Sequence, residues 1–368
     1  MTRWRWRGSI ALLAVCLGFV IYPLIESRND VINSDWPAFA TGAKLIVRDP
    51  GHLYDLAVQR HVEYDVTGGR VLVTLGIQGI LPFLAPAWVA LLAVPFDLLG
   101  TESGGRVWIL FGLACLAGGL YLAVRPRPPS SIVPAFASVP TALLLLNAQL
   151  DGLVALGVGA AIALWSRPYL AGLALGLTLV KPQLVVPLGF ALLLARRWKV
   201  VLGWAAAGAL LWASTAILNP RWVIDWVKAA GTTVQPGGRE VNLAHLGVLF
   251  PVGFRTVAEA ALTLAATIAV LLLARSRRKE FQPAAAILVA GGIFAAPHAL
   301  PADMVMLAMA LAIWGQARWY DWVLLSAGAA MCAVTPPPVP VLGGLMTVGW
   351  ICARATWSRP EPAPLSAR

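Results

Sequence analysis

The sequence predicts an all-α polytopic membrane protein. Three observations carry this. Apolar residues make up 59% of the chain and charged residues only 12%, about half the charge of an average soluble domain. Mean hydropathy is +0.76. Apolar stretches of near-spanning length recur from Ser9 to Ala353 without strand-like alternation. A spanning helix needs roughly 20 such residues, and only helices or closed barrels satisfy their backbone polar groups in hydrocarbon.

The first helix is expected near 9–25, after the basic start carrying Arg3, Arg5 and Arg7. No A-x-A cleavage site precedes Glu26, so this helix reads as uncleaved. Residues 26–72 form the longest polar stretch and are expected outside as the first extracytoplasmic loop. Further candidates are 82–99, 106–124, 132–148, 151–166, 168–180, 182–195, 199–218, 256–274, 283–297, 303–316, 321–335 and 338–353. Residues 1–355 read as a single membrane domain and 356–368, rich in Pro, as a disordered cytoplasmic tail.

The net charge is +11, but the basic residues sit in short patches between apolar runs, among them Arg196, Arg197 and Lys199, and Arg275, Arg277, Arg278 and Lys279. That is the positive-inside pattern, not a nucleic-acid footprint. It places both termini in the cytoplasm and 219–255, "APHALPAD" and "TPPPVP" outside. With both termini inside, thirteen crossings do not close. One candidate between 125 and 195 is therefore expected not to cross fully, which leaves about twelve helices. Broken helices at membrane depth occur where they line a cavity, so attention falls on Asn147–Asp151 and Lys181–Gln183.

The acids and histidines crowd the outer segments: Asp30, Asp35, Asp49, Asp55, Asp65 and Asp303, with His52, His61, His245 and His298. In "SDWPAFATGAKLI", Trp36, Phe39, Ala43 and Ile46 share helical spacing, and "HLYDLAVQRHV" suggests a second amphipathic helix. Both are expected to lie on the outer surface and frame a cavity. Asp35 reads as an N-cap of the first or as a functional acid. Lys181 in "TLVKPQLVV" either snorkels or meets an anionic ligand. In "NAQLDG", Asn147, Gln149 and Asp151 either bond between helices or hold a polar ligand. Arg239 and His245 lie in an outer loop that is either solvated or closes over a ligand. The four cysteines lie inside apolar runs without metal spacing, and no cofactor or metal is expected.

In order, "SDWPAFATGAKLI…LYD…Q", "NAQLDGLVALGVGAAIALWSRPYLAGLALGLTLVKPQLVVPLGFALLLARRW" and "FAAPHALPADMVML" resemble glycosyltransferase family 87, described as polyprenol-phosphate-mannose-dependent mannosyltransferase-like. Family members commonly show Gly-Gln where this chain has Ala148-Gln149, and Tyr-Asp or His-Asp where it has Ala302-Asp303. The resemblance implies a GT-C bundle with its site at the extracytoplasmic face of a bacterial plasma membrane. It implies a polyprenyl-phosphate sugar donor and a glycolipid or polysaccharide acceptor. It also implies a general base from the first outer loop, Asp35 with Asp30 as the alternative, and inversion at the anomeric carbon. Lys181 would then face the donor phosphate, with Gln149, Asn147, Trp36 and Asp303 lining the donor site and His298 bonding phosphate or acceptor or assisting proton transfer. A pentofuranosyl donor on the same fold, or a transporter or flippase of lipid-linked saccharides, are the competing readings.

Overall fold

A computed structural model describes residues 3–70, 72–74, 77–79, 81–233 and 239–357. The expected tail lies outside the described residues apart from 356 and 357, as do residues 234–238 of the 219–255 segment.

The chain is a helical bundle. Helix α1 (Arg3–Ile25) leads into α2 (Arg28–Ile32), α3 (Trp36–Arg48) and α4 (Leu56–Val66). A two-stranded hairpin follows, β1 (Leu72–Thr74) and β2 (Ile77–Gly79), antiparallel with Leu72 opposite Gly79. It is the one departure from the all-α expectation among the described residues. Then come α5 (Ala87–Asp97), α6 (Thr101–Val124), α7 (Val133–Phe136), α8 (Val139–Leu146), α9 (Asp151–Ala163), α10 (Pro168–Leu175), α11 (Val186–Leu194) and α12 (Trp198–Ala216). The remainder is α13 (Trp222–Thr233), α14 (Arg255–Ser276), α15 (Phe281–Ala295), α16 (Val305–Trp314), α17 (Trp319–Val334) and α18 (Val339–Thr356).

Five of these helices are long and apolar enough to cross a bilayer, in α1, α6, α12, α14 and α18. Counting the α7–α8 pair as one span makes six. Seven further apolar helical segments are shorter, at 10–17 residues. The single segment expected over 132–148 is bent by 66° between α7 and α8. Pro140 has no N–H to return to the preceding turn, so the helix restarts there, from the extended Ser138. The segment expected over 82–99 shortens to α5, because Pro82 and Pro86 hold the chain irregular before it. Helix α10 tightens to a 3-10 turn at Gly176–Val180, and a second 3-10 turn, Pro182–Val185, follows Lys181. The break expected at Lys181 is present.

Helix α3 does not lie on the surface as expected. Ten of its thirteen residues are buried, from Trp36 round to Ile46, and it packs on α4, α5 and α6. Its small residues permit this. A Cβ on Gly42 would stand 2.6 Å from the Phe83 ring. The seam between α6 and α9 is as close. A Cβ on Gly152 would meet the Gly112 carbonyl oxygen at 2.0 Å, and one on Gly159 would meet that of Gly119 at 2.1 Å. The glycine pairs stand seven residues apart on each helix, so two turns along the seam repeat the same contact.

Helix α6 gives the bundle its axis. Its first turns face Val31 and Trp36. Past its far end, the Arg127 guanidinium donates to the Ala312 carbonyl at 2.5 Å. The four cysteines are free thiols; Cys115, Cys332 and Cys352 are buried, and Cys16 is half-buried.

Candidate active site

Asp35 begins α3 but does not cap it. Ser34 Oγ accepts the Trp36 N–H at 3.2 Å, and the Asp35 carboxylate makes no cap hydrogen bond. The N-cap reading of Asp35 is therefore corrected, since its neighbour already serves the first free N–H of the helix. The Asp35 backbone N–H donates to the Asn147 carbonyl at 3.2 Å. This fixes the first loop to the turn between α8 and α9. That turn carries Ala148 in the left-handed region, φ +50°, and Trp108 Nε1 donates to the Ala148 carbonyl at 3.0 Å.

The turn ends at Asp151, which is fully buried at the start of α9. Its Oδ2 lies 2.9 Å from Lys181 Nζ, and Asp303 Oδ1 lies 2.5 Å from the same ammonium. Lys181 is thus bracketed by two buried carboxylates. The break at Pro182 makes this possible, because it lets the chain turn where the ammonium must point inward. Asp303 does two things at once. Its Oδ2 accepts the Leu300 N–H at 2.6 Å and closes the 3-10 turn Pro301–Met304. Burial pushes the Asp35 carboxyl up to about 7. Lys181 pulls it down and Asp303 pushes it up, so both stand within electrostatic reach of Asp35.

A second cluster joins the 239–245 segment to the chain between α15 and α16. The Val241 N–H donates to the Ala299 carbonyl at 2.9 Å, and Asn242 Nδ2 donates to Ala296 at 2.8 Å. Here Glu240, nearly buried, holds two imidazoles. His298 Nδ1 is 2.8 Å from Oε1, and His245 Nδ1 bonds Oε2. Burial raises the Glu240 carboxyl, but the two histidines outweigh it and bring it down to about 2. His298 remains 41% exposed along its side chain while Glu240 is 9% exposed. His298 stands five residues before Asp303, so the two cannot be more than about 18 Å apart.

Other expected site residues fall elsewhere. Trp36 is fully buried, donates Nε1–H to the Thr101 carbonyl at 2.7 Å and packs on Trp108 at 5.5 Å between ring centres. It has no open face for a sugar, which corrects that expectation. Asp30 is exposed and its Oδ2 accepts from Ser27 N–H at 3.1 Å and Oγ at 2.8 Å, a capping box on α2. That bond gives Asp30 a local structural task in place of the alternative base. Asn147 turns its amide back to the Leu143 carbonyl at 2.8 Å, and Gln149 is buried in the same turn. The expected acceptor loop is pinned. Arg239 bonds the Ala333 carbonyl and His245 bonds Glu240, so neither swings free. Lys181, expected to snorkel or to meet an anionic ligand, is held by the carboxylates of Asp151 and Asp303.

The sequence placed Glu240 in the outer loop with Arg239 and His245 but without its bond to His298, and it set Asp151 beside the site without its partner. The only signal for the Lys181 bracket was a charged residue next to a helix-breaking proline. For Glu240 it was an acid five residues before His245, in the outer segments that also hold His298. Among the described residues no group of three or more His, Cys, Asp and Glu side chains is arranged to hold a metal ion.

A membrane helical bundle with a buried ion cluster and a half-buried acid beside it defines a class, and comparison with known proteins narrows it. The profile of glycosyltransferase family 87 matches residues 83–301, well over half of the chain. The chain belongs to glycosyltransferase family 87. The matched span holds Asp151, Lys181, Glu240 and His298, whereas Asp35 and Asp303 stand outside it. No curated protein and no solved structure matches.

Proposed function

We propose that this glycosyltransferase moves a sugar, mannose in the first instance, from a polyprenyl phosphate to an acceptor hydroxyl. The acceptor is a glycolipid or polysaccharide. Transfer takes place on the extracytoplasmic side of a bacterial plasma membrane, with both chain termini in the cytoplasm.

The observation that carries this reading is the state of Asp35. Its carboxylate is not spent on helix capping, and burial holds it at about 7. A general base works best with a pKa near the working pH. In the proposed step Asp35 takes the proton of the acceptor hydroxyl. The oxygen then forms a new bond to the anomeric carbon, the carbon–oxygen bond to phosphate breaks, and its electron pair leaves with the polyprenyl phosphate. One base with in-line attack inverts the anomeric centre. His298, partly exposed, contacts the phosphate or the acceptor. Lys181, bracketed by Asp151 and Asp303, acts through its charge on Asp35, which it pulls toward the ionised form.

The test is transfer of radiolabelled mannose from polyprenyl-phosphate-mannose to a membrane glycolipid fraction, wild type against Asp35→Asn. The expected loss in the variant is at least about 100-fold, with the folded yield unchanged. Equal transfer by both chains overturns Asp35 as the base. Transfer only from a polyprenyl-phosphate pentofuranose reassigns the sugar.

A further inference from the structure

Glu240 serves two imidazoles with one carboxylate. Oε1 faces His298 Nδ1 and Oε2 faces His245 Nδ1. An ionised carboxylate only accepts, so both Nδ1 atoms must carry the hydrogen. That settles the orientation of each ring. In His298 the Nε2 edge points away from Glu240, on a side chain that is partly exposed. His245, by contrast, is buried and serves as the far anchor of the bridge. The segment bearing Glu240 is itself fastened at Val241, Asn242 and Arg239. A Cβ on Gly344 would meet the Val241 carbonyl oxygen at 2.2 Å, so α18 backs the segment closely. The bridge therefore stands on three separate parts of the bundle, an arrangement that a solvated loop does not need.

We propose that Glu240 is a positioning residue. It takes the Nδ1–H of His298 and His245 together and so presents the Nε2 edge of His298 to the substrate. The proposal rests on the role given to His298 above and deepens it. Outer partners of this kind fix tautomer and ring orientation, as they do for histidines that bind metals.

The glutamine variant is informative because of its chemistry. Glu240→Gln offers one acceptor oxygen and one donor group, so one of the two rings must give up its Nδ1–H. The partly exposed ring, His298, is the one with room to change. The full-length chain, labelled with 15N-histidine and held in lipid nanodiscs, reports the tautomer directly, with His298→Gln used to assign the signal.

In wild type the His298 signal is expected to show Nδ1 protonated. In Glu240→Gln it is expected to move to the Nε2–H tautomer, with sugar transfer down by about 10–100-fold. The double variant Glu240→Gln/His298→Gln is expected to lose no more than His298→Gln alone. An unchanged His298 tautomer overturns the proposal. So do losses that multiply in the double variant, which would mean independent roles. Loss of folded protein in Glu240→Gln, with the wild-type tautomer kept in what remains, also overturns it and leaves a purely structural bridge. A wild-type chain that transfers no sugar sinks the functional reading instead, and the tautomer shift alone then decides whether Glu240 orients His298.

Discussion

Asp35 donates its backbone N–H to the carbonyl of Asn147 at 3.2 Å. A residue of the first loop is thereby fixed to a turn more than a hundred positions later. Four residues beyond Asn147, Asp151 grips Lys181 at 2.9 Å. The candidate base and the buried cation are thus referenced to one short piece of backbone.

That placement predicts a pH profile. Asp35 must be deprotonated to accept a proton, and its carboxyl titrates at about 7. The transfer rate at saturating donor should rise with pH through about 7 and level above it. The residual rate of Asp35→Asn should lack this limb.

Stability should run the other way. The folded chain holds the Asp35 proton more tightly than the unfolded chain, so between 3.8 and about 7 it binds more protons. Stability contributed by Asp35 is therefore complete below this window and is lost as pH rises through it. Asp35→Asn has no such loss. Its melting temperature in nanodiscs should exceed that of wild type by about 2 °C or more near pH 8, with the gap closing toward pH 4.

Lys181 should be indispensable for folding as well as turnover. Lys181→Met leaves Asp151 and Asp303 buried without their shared cation, at a cost of about 3–5 kcal/mol. Folded yield should fall sharply. Adding Asp151→Asn and Asp303→Asn should restore yield without restoring transfer. Recovery of transfer would remove Lys181 from the chemistry.

Trp36 should behave as a core residue. Trp36→Ala should destabilise the fold by about 3–5 kcal/mol. Trp36→Phe keeps a ring against Trp108 and loses the bond to Thr101, a cost of about 1 kcal/mol, with the donor KM unchanged. A raised KM with full stability would return Trp36 to the sugar site.

The α6–α9 seam should reject any side chain. Gly152→Val drives two methyl groups into the Gly112 carbonyl, already 2.0 Å from a single added Cβ, and α9 carries Asp151. Folded yield and transfer should fall together, and Gly8→Val, at an open position, should change neither.

Much of this was legible in the chain. Apolar runs and their punctuation by proline gave the helices and the break at Lys181, because a missing N–H interrupts a helix wherever it lies. Asp35 stood out by its place at the end of an apolar run. What the sequence could not carry was pairing across distance. Lys181 meets Asp303 across 122 positions, and no local spacing encodes that contact. Glu240 was hidden for the same reason, since an acid in a polar loop reads as solvated until the histidines around it are seen. Trp36 misled because an amphipathic spacing looks the same whether one face is wet or both are packed. The decisive neighbours were the small residues of α3, which let the bundle close around it.

Helix α16 brings one more consequence, for how the protein is made. All ten of its residues are buried, and ten helical residues reach about 15 Å, half of a hydrocarbon core of about 30 Å. It cannot be threaded into a bilayer as a unit on its own. Its berth is built by α6, α7, α8, α9 and α15, synthesised before it, and is sealed by α17 and α18, synthesised after it. Biogenesis must therefore hold an unfilled slot open until the last fifth of the chain leaves the ribosome. Asp303, at the entry to α16, brings Lys181 its second carboxylate from this late part of the chain, so the ion cluster is among the last contacts to form.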